Sequence, residues 1–173
     1  MSDPWDIRPK AIKGDPAPDN IFHAVGVATT QWERLESVLA ELFDLLLASG
    51  NRAAFKIYRS AKTSNARQEM LGAAVPVANV DSATNRELVR FVKTIGKYVA
   101  RRNEIVHGQV FNLDEHGFYL APSNLMKSKW TKEGAAKYQY VANDVYYYAG
   151  QFAEIRTQCE ALVRKLKSLA KTG

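Results

Sequence analysis

The chain of 173 residues has one cysteine, Cys159, and three histidines, with no Cys/His cluster at zinc spacing. An internal disulfide is excluded, no metal or other cofactor is implied, and a reducing cytoplasm is the simplest compartment. Long apolar runs are also missing. The longest, Leu42 to Ser49, is interrupted by Asp44 and falls far short of the roughly 20 residues that a membrane-spanning helix needs. The first residues are too acidic and proline-rich for a signal peptide, so neither a membrane nor a secretory role is expected. There is no glycine-rich phosphate loop, which excludes NTP hydrolysis of the P-loop kind, and no internal repeat. Acids are scarce in one stretch: Arg52 to Arg102 holds eleven Lys/Arg against Glu69, Asp81 and Glu87, an excess of eight in a chain of net charge +6. With 46% hydrophobic and 24% charged residues, the remainder reads as one ordinary globular domain able to bury a core.

Four of the six prolines (Pro4, Pro9, Pro16, Pro18) lie in residues 1–20, which predicts an extended arm there and a single helical domain over 21–173. Trp5 and Ile7 are candidate anchors for that arm, on its own domain or on a partner. Helical periodicity begins at Ile21, with Val25, Ala28, Trp32, Leu35, Leu39, Leu42 and Leu46 on one stripe and a stop at Gly50-Asn51. A second helix is predicted from Arg52 to Ala74, ended by Pro76, with a polar middle from Lys62 to Gln68. A third starts at an Asp81 or Ser82 cap, carries Leu88, Phe91, Val92, Ile95, Val99 and Val106, and ends before Gly108. Alternation over Val110–Asp114, a turn at Asp114-Glu115-His116-Gly117 and Phe118-Tyr119-Leu120 predict a short β-hairpin. The last helix repeats apolar residues at steps of four and three from Val141 to Leu169, through Val145, Tyr148, Phe152, Ile155, Cys159, Leu162 and Leu166. The expected fold is all-α: an antiparallel four-helix bundle with a short β-hairpin between helices 3 and 4.

The basic residues fall into stripes. Arg86, Arg90, Lys93, Lys97 and Arg101 recur at steps of 4, 3, 4 and 4 on helix 3, and Arg52, Lys56 and Arg59 do the same on helix 2. Two readings stand: a phosphate-binding surface for RNA, or solvated faces whose long side chains cover apolar flanks. The shortage of acids favours the first, since solvated faces usually mix both signs. Lys127, Lys129, Lys132 and Lys137 extend the basic character into the following loop.

Helix 3 closes with Arg101-Arg102-Asn103-Glu104-Ile105-Val106-His107-Gly108. Steps of three and four from Ile95 and Val99 lead to Arg102, so a guanidinium is predicted in line with the core and in need of an acidic partner, for which Glu36 is the candidate. Asn103 and His107, four apart, share one side of the helix.

The run Arg-Asn-Glu-Ile-Val-His-Gly, at the end of the third helix of a small bundle, resembles the HEPN superfamily, and Gln31-Trp32-Glu33-Arg34-Leu35-Glu36 looks like the first helix of small bacterial HEPN-like proteins. The resemblance spans residue 21 to the last helix. It implies a metal-independent endoribonuclease, of the toxin or anti-phage kind, working as a homodimer in which two copies of the motif meet, with an antitoxin or regulatory protein as a further partner. His107 would be general base or acid, Arg102 the phosphate clamp, and Asn103 a positioning group. The physical chemistry fits, because imidazole ionises near 6.5 and guanidinium keeps its charge and planar donor fork. The alternative is a catalytically inactive HEPN-like RNA- or nucleotide-binding or assembly module, in which Arg102, Asn103 and Glu36 fix helix register and His107 meets the helix C-terminal carbonyls.

Remaining candidates are weaker. His23 and His116 lack carboxylates at metal spacing. Tyr138, Tyr140, Tyr146, Tyr147 and Tyr148 cluster around the start of the last helix, where packing outweighs base stacking. Cys159 lies on the core stripe and reads as a small buried hydrophobe.

Overall fold

A computed structural model describes residues 13–49, 51–112, 116–122 and 140–172. They form five α-helices and one two-stranded sheet: α1 (Pro18–Leu46), α2 (Ala53–Ser60), α3 (Ser64–Ala74), a 3-10 turn at Val75–Val77, α4 (Ser82–Val106), β1 (Gly108–Asn112), β2 (Phe118–Pro122) and α5 (Ala142–Thr172). Trp5, Ile7, Tyr138 and the lysines at 127, 129, 132 and 137 lie outside the described residues. Contacts group the chain into two compact units. A hairpin unit comprises Met1–Trp32 with Ala100–Phe152, and a helical unit comprises Glu33–Val99 with Ala153–Gly173. Helices α1, α4 and α5 contribute segments to both.

In the hairpin unit, β1 and β2 pair antiparallel, with Val110 opposite Leu120. The turn needs Gly117, whose φ of 86° lies in the left-handed region. Gly108 lies just past the end of α4, as expected, and opens β1. A Cβ there would stand 2.7 Å from Leu120 Cδ1 and 2.9 Å from the Glu104 carbonyl oxygen, so only glycine lets the strand leave α4 under Leu120. The outer edge of β2 is covered. Asp15 exchanges two backbone hydrogen bonds with Phe118, both at 2.9 Å, and Tyr140 exchanges two with Leu120. Such cover removes an edge that would otherwise invite pairing with another chain. The Asp15 carboxylate also accepts the Ala142 N–H at 2.7 Å, and Asp144 Oδ2 accepts that of Val141, so two carboxylates satisfy orphan donors at the start of α5. α1 begins at Pro18, three residues before its apolar periodicity, because proline is well suited to a first helical turn. Ile21, Ala24, Ala28, Trp32, Ile105 and Val145 are buried, and Phe152 meets the Trp32 ring edge-on at 5.1 Å.

The helical unit departs from expectation at the second helix. The predicted helix over Arg52–Ala74 is two helices, because Ala61 is extended (φ −63°, ψ 129°) and Thr63 caps a new helix by accepting the Ala66 N–H. Arg67 Nε then donates to the Ala61 carbonyl at 3.1 Å, satisfying a group that the break exposes. Four long helices thus become three long and two short. The stop after α1 comes early as well. Ala48 adopts φ 46°, and the side chains of Asn51, Ser49 and Asp44 accept the N–H groups of Ala53, Ala54 and Phe55 in turn, so Asn51 opens α2 rather than merely closing α1. At α4, Asp81 Oδ1 accepts the N–H of Ala83 and Thr84, both at 2.9 Å, and Oδ2 the Thr84 hydroxyl. Leu35, Leu39, Leu42, Leu71, Leu88, Ile95, Ile155 and Cys159 form this unit's core.

Candidate functional site

The end of α4 places three motif residues together in the hairpin unit. His107 is exposed and its backbone N–H donates to the Asn103 carbonyl at 3.0 Å, which holds the last helical turn. Arg102 and Asn103 are half-buried, and Arg102 Nη1 donates to Asn103 Oδ1 at 3.1 Å. With its oxygen engaged by a guanidinium, the Asn103 amide has its NH2 donor left to offer a ligand. An exposed imidazole, a guanidinium and an amide donor within two turns of helix suit an anionic ligand and proton transfer beside it.

The deeply buried cation is Arg101, at 4% exposure, and not Arg102. The buried side of α4 steps through Leu88, Phe91, Ile95, Tyr98, Arg101 and Ile105, a row slightly tighter than the one traced from the sequence and closer to the heptad seam. Arg101 therefore leaves the stripe assigned to RNA. Its Nη1 donates to Glu104 Oε2 at 2.6 Å, and its guanidinium lies 5.3 Å from the Tyr140 ring centre and 5.1 Å from that of Tyr148. Tyr140 donates its hydroxyl to the same Glu104 oxygen at 3.1 Å. Burial pushes the Glu104 carboxyl up from its ordinary value, and the adjacent Arg101 opposes the shift only in part. Burial likewise raises the Tyr148 phenol.

Glu36, the candidate acid of the first helix, belongs to the helical unit. It is buried at 2% exposure, accepts Arg67 Nη1 at 3.3 Å and lies 3.4 Å from the Tyr58 hydroxyl. Burial, then the Glu36 charge, drives the Tyr58 phenol far above its usual range. Neither Arg67 nor Tyr58 stood out in the sequence, although Thr63 four residues before Arg67 was a readable cap.

Of the predicted RNA-facing residues, Arg86, Arg90, Lys93, Lys97, Arg52, Lys56 and Arg59 are exposed in the helical unit. Arg52 caps α2 at φ 59° with its guanidinium 4.1 Å over the Phe55 ring, and Arg59 reaches the Ser37 hydroxyl at 3.5 Å. The described tyrosines mostly pack: Tyr140 and Tyr148 are buried against Arg101, Tyr147 meets Tyr148 edge-on, and Tyr146 hydrogen-bonds His23 Nδ1. Cys159 is fully buried, and burial raises its thiol far above the usual range, so it is no nucleophile.

Among the described residues, no cluster of three His, Cys, Asp or Glu is placed to hold a metal ion, and no helix is long and apolar enough to cross a membrane. No protein-family model matches the chain, and no curated protein and no solved structure is significantly similar to it.

Proposed function

We propose that the protein is a metal-independent endoribonuclease of HEPN type, its helices forming a HEPN-like bundle that acts on RNA as a homodimer. The observation that carries this reading is the exposed His107 one turn beyond the Arg102–Asn103 pair. Arg101 takes the buried ion pair with Glu104, and Arg102 is the arginine that stands beside Asn103 in the motif. In the reaction, His107 accepts the ribose 2′-OH proton as the 2′ oxygen attacks phosphorus. The bond to the 5′ oxygen breaks, and the leaving oxygen takes up a proton, from the second His107 in a dimeric site. Arg102 offsets charge developing on the phosphoryl oxygens, and the Asn103 NH2 positions one of them. Products end in a 2′,3′-cyclic phosphate and a 5′-hydroxyl.

The test is incubation of the chain and its His107→Ala variant with mixed single-stranded and structured RNA in EDTA. Cleavage to cyclic-phosphate ends that falls by about 100-fold or more in the variant supports the assignment. His107 is exposed, so the variant's melting temperature should match the parent's. Silence from both proteins with the dimer intact moves the reading to an inactive RNA-binding or assembly module, and equal cleavage by both removes His107 from the chemistry.

A further inference from the structure

In the helical unit, α3, the Val75–Val77 turn and α4 line an open cleft of about 220 Å³. Val75 and Val92 are buried at its base, while Val89, which also lines it, is 51% exposed and the neighbouring Val77 69% exposed. A Cβ at the lining residue Gly72 would meet nothing within 4 Å, so access is open from α3. The helix positions next to Val89 on the surface of α4 are Arg86 and Lys93, three before and four after it, and both are exposed, as is Arg90. No acid occurs on α4 between Glu87 and Glu104, and Glu87 is held by Lys165 at 2.8 Å. Glu69 is the single acid of α3. An aliphatic cleft is thus framed mainly by cations.

We propose that this cleft docks an acidic amphipathic segment of a partner protein, whose aliphatic side chains enter between Val75, Val89 and Val92 and whose carboxylates meet Arg86, Arg90 and Lys93. The charge pattern selects an acidic occupant. Its volume lies below the ~300–1,000 Å³ of small-molecule sites, which fits side-chain anchors better than a whole ligand. The lining has no aromatic ring on which a base would stack, so it favours protein over RNA.

The full chain is screened against two displayed peptide libraries with aliphatic residues at i, i+3, i+4 and i+7, one filled with Asp and Glu and the other with Lys and Arg. The acidic library should enrich and the basic one should not. Fluorescence anisotropy of a labelled winning peptide should show about tenfold weaker binding to both Val89→Ser and Lys93→Glu, two surface variants whose folding is checked by thermal melting. No enrichment of acidic over basic peptides overturns the proposal, as does a winner that binds Val89→Ser as tightly as the parent. A labelled single-stranded RNA that is lost by Lys93→Glu and kept by Val89→Ser would make the site an RNA surface instead. The His107→Ala variant should bind the peptide like the parent, so this proposal and the nuclease assignment can fail separately.

Discussion

Each unit holds an arginine, a glutamate and a tyrosine in contact, and the two trios are built in opposite senses. In the hairpin unit the cation is the deeply buried member: Arg101 is at 4% exposure while the Glu104 side chain keeps 15%, and their contact is 2.6 Å. In the helical unit the anion is buried: Glu36 is at 2% while the Arg67 side chain keeps 20%, at 3.3 Å. A buried ion pair adds little net stability, but stripping one partner from a buried charge is costly. The vulnerable change in each trio is therefore loss of the more exposed member, which takes an opposite charge away from the more buried one. For the hairpin unit that means the acid, and for the helical unit the base.

The largest effect is expected from Glu104→Ala, which leaves Arg101 buried without its carboxylate and should cost about 3–5 kcal/mol in urea unfolding. Arg101→Met, which instead leaves a half-buried Glu104 that can take up a proton, should cost clearly less. A reversed order would break the contrast between the trios. In the helical unit, Arg67→Met should cost about 2–3 kcal/mol, less because the pair is longer and partly solvated. Tyr58→Phe, which removes one neutral donor from Glu36, should cost about 1 kcal/mol. Chemical denaturation of these two variants would sharpen the comparison.

Acidity separates Glu104 from the surface carboxylates. Its carboxyl is raised above the ordinary value of 4.5 by burial, outweighing Arg101. It therefore binds more protons folded than unfolded, and its stabilising contribution is complete below that ordinary value and is lost as pH rises through the raised one. Across that window the parent should lose stability more steeply than Glu104→Gln, as read from urea midpoints at stepped pH. Asp81 runs the other way. Hydrogen bonds from the Thr84 side chain and then its backbone hold Asp81 below 3.8, so its contribution is present above that value and is lost as pH falls through the lowered one. Asp81→Ala should lower the melting temperature at neutral pH, the smallest effect here, and the difference should fade in acid.

Local chemistry made several parts legible. Asp81 has the side chain an N-cap needs, and the hairpin announced itself by alternation around Gly117. The last helix needed only the four-and-three repeat from Val141 to Leu169, whose members are buried as far as Leu166, while Leu169 at its end is exposed. The break inside Arg52–Ala74 was half visible, since Thr63 is a natural cap before a polar run, but nothing local said that Ala61 would turn extended. Asp15 was hidden for a related reason. Its roles as strand partner and helix cap depend on residues more than 100 positions away.

The sequence by itself determined the helical periods, the hairpin, the basic excess on α4 and the placement of Asn103 and His107 on one side of a helix, because these follow from residue type and a spacing of about 3.6. Only the tertiary structure decided which of two adjacent arginines is buried and that Glu36 receives Arg67 and Tyr58. Neighbouring positions on a helix differ by about 100°, and a slight change in the tilt of the buried seam exchanges them. Which one goes inward is fixed by Glu104, Tyr140 and Tyr148, and two of those three reach Arg101 only because the chain folds back.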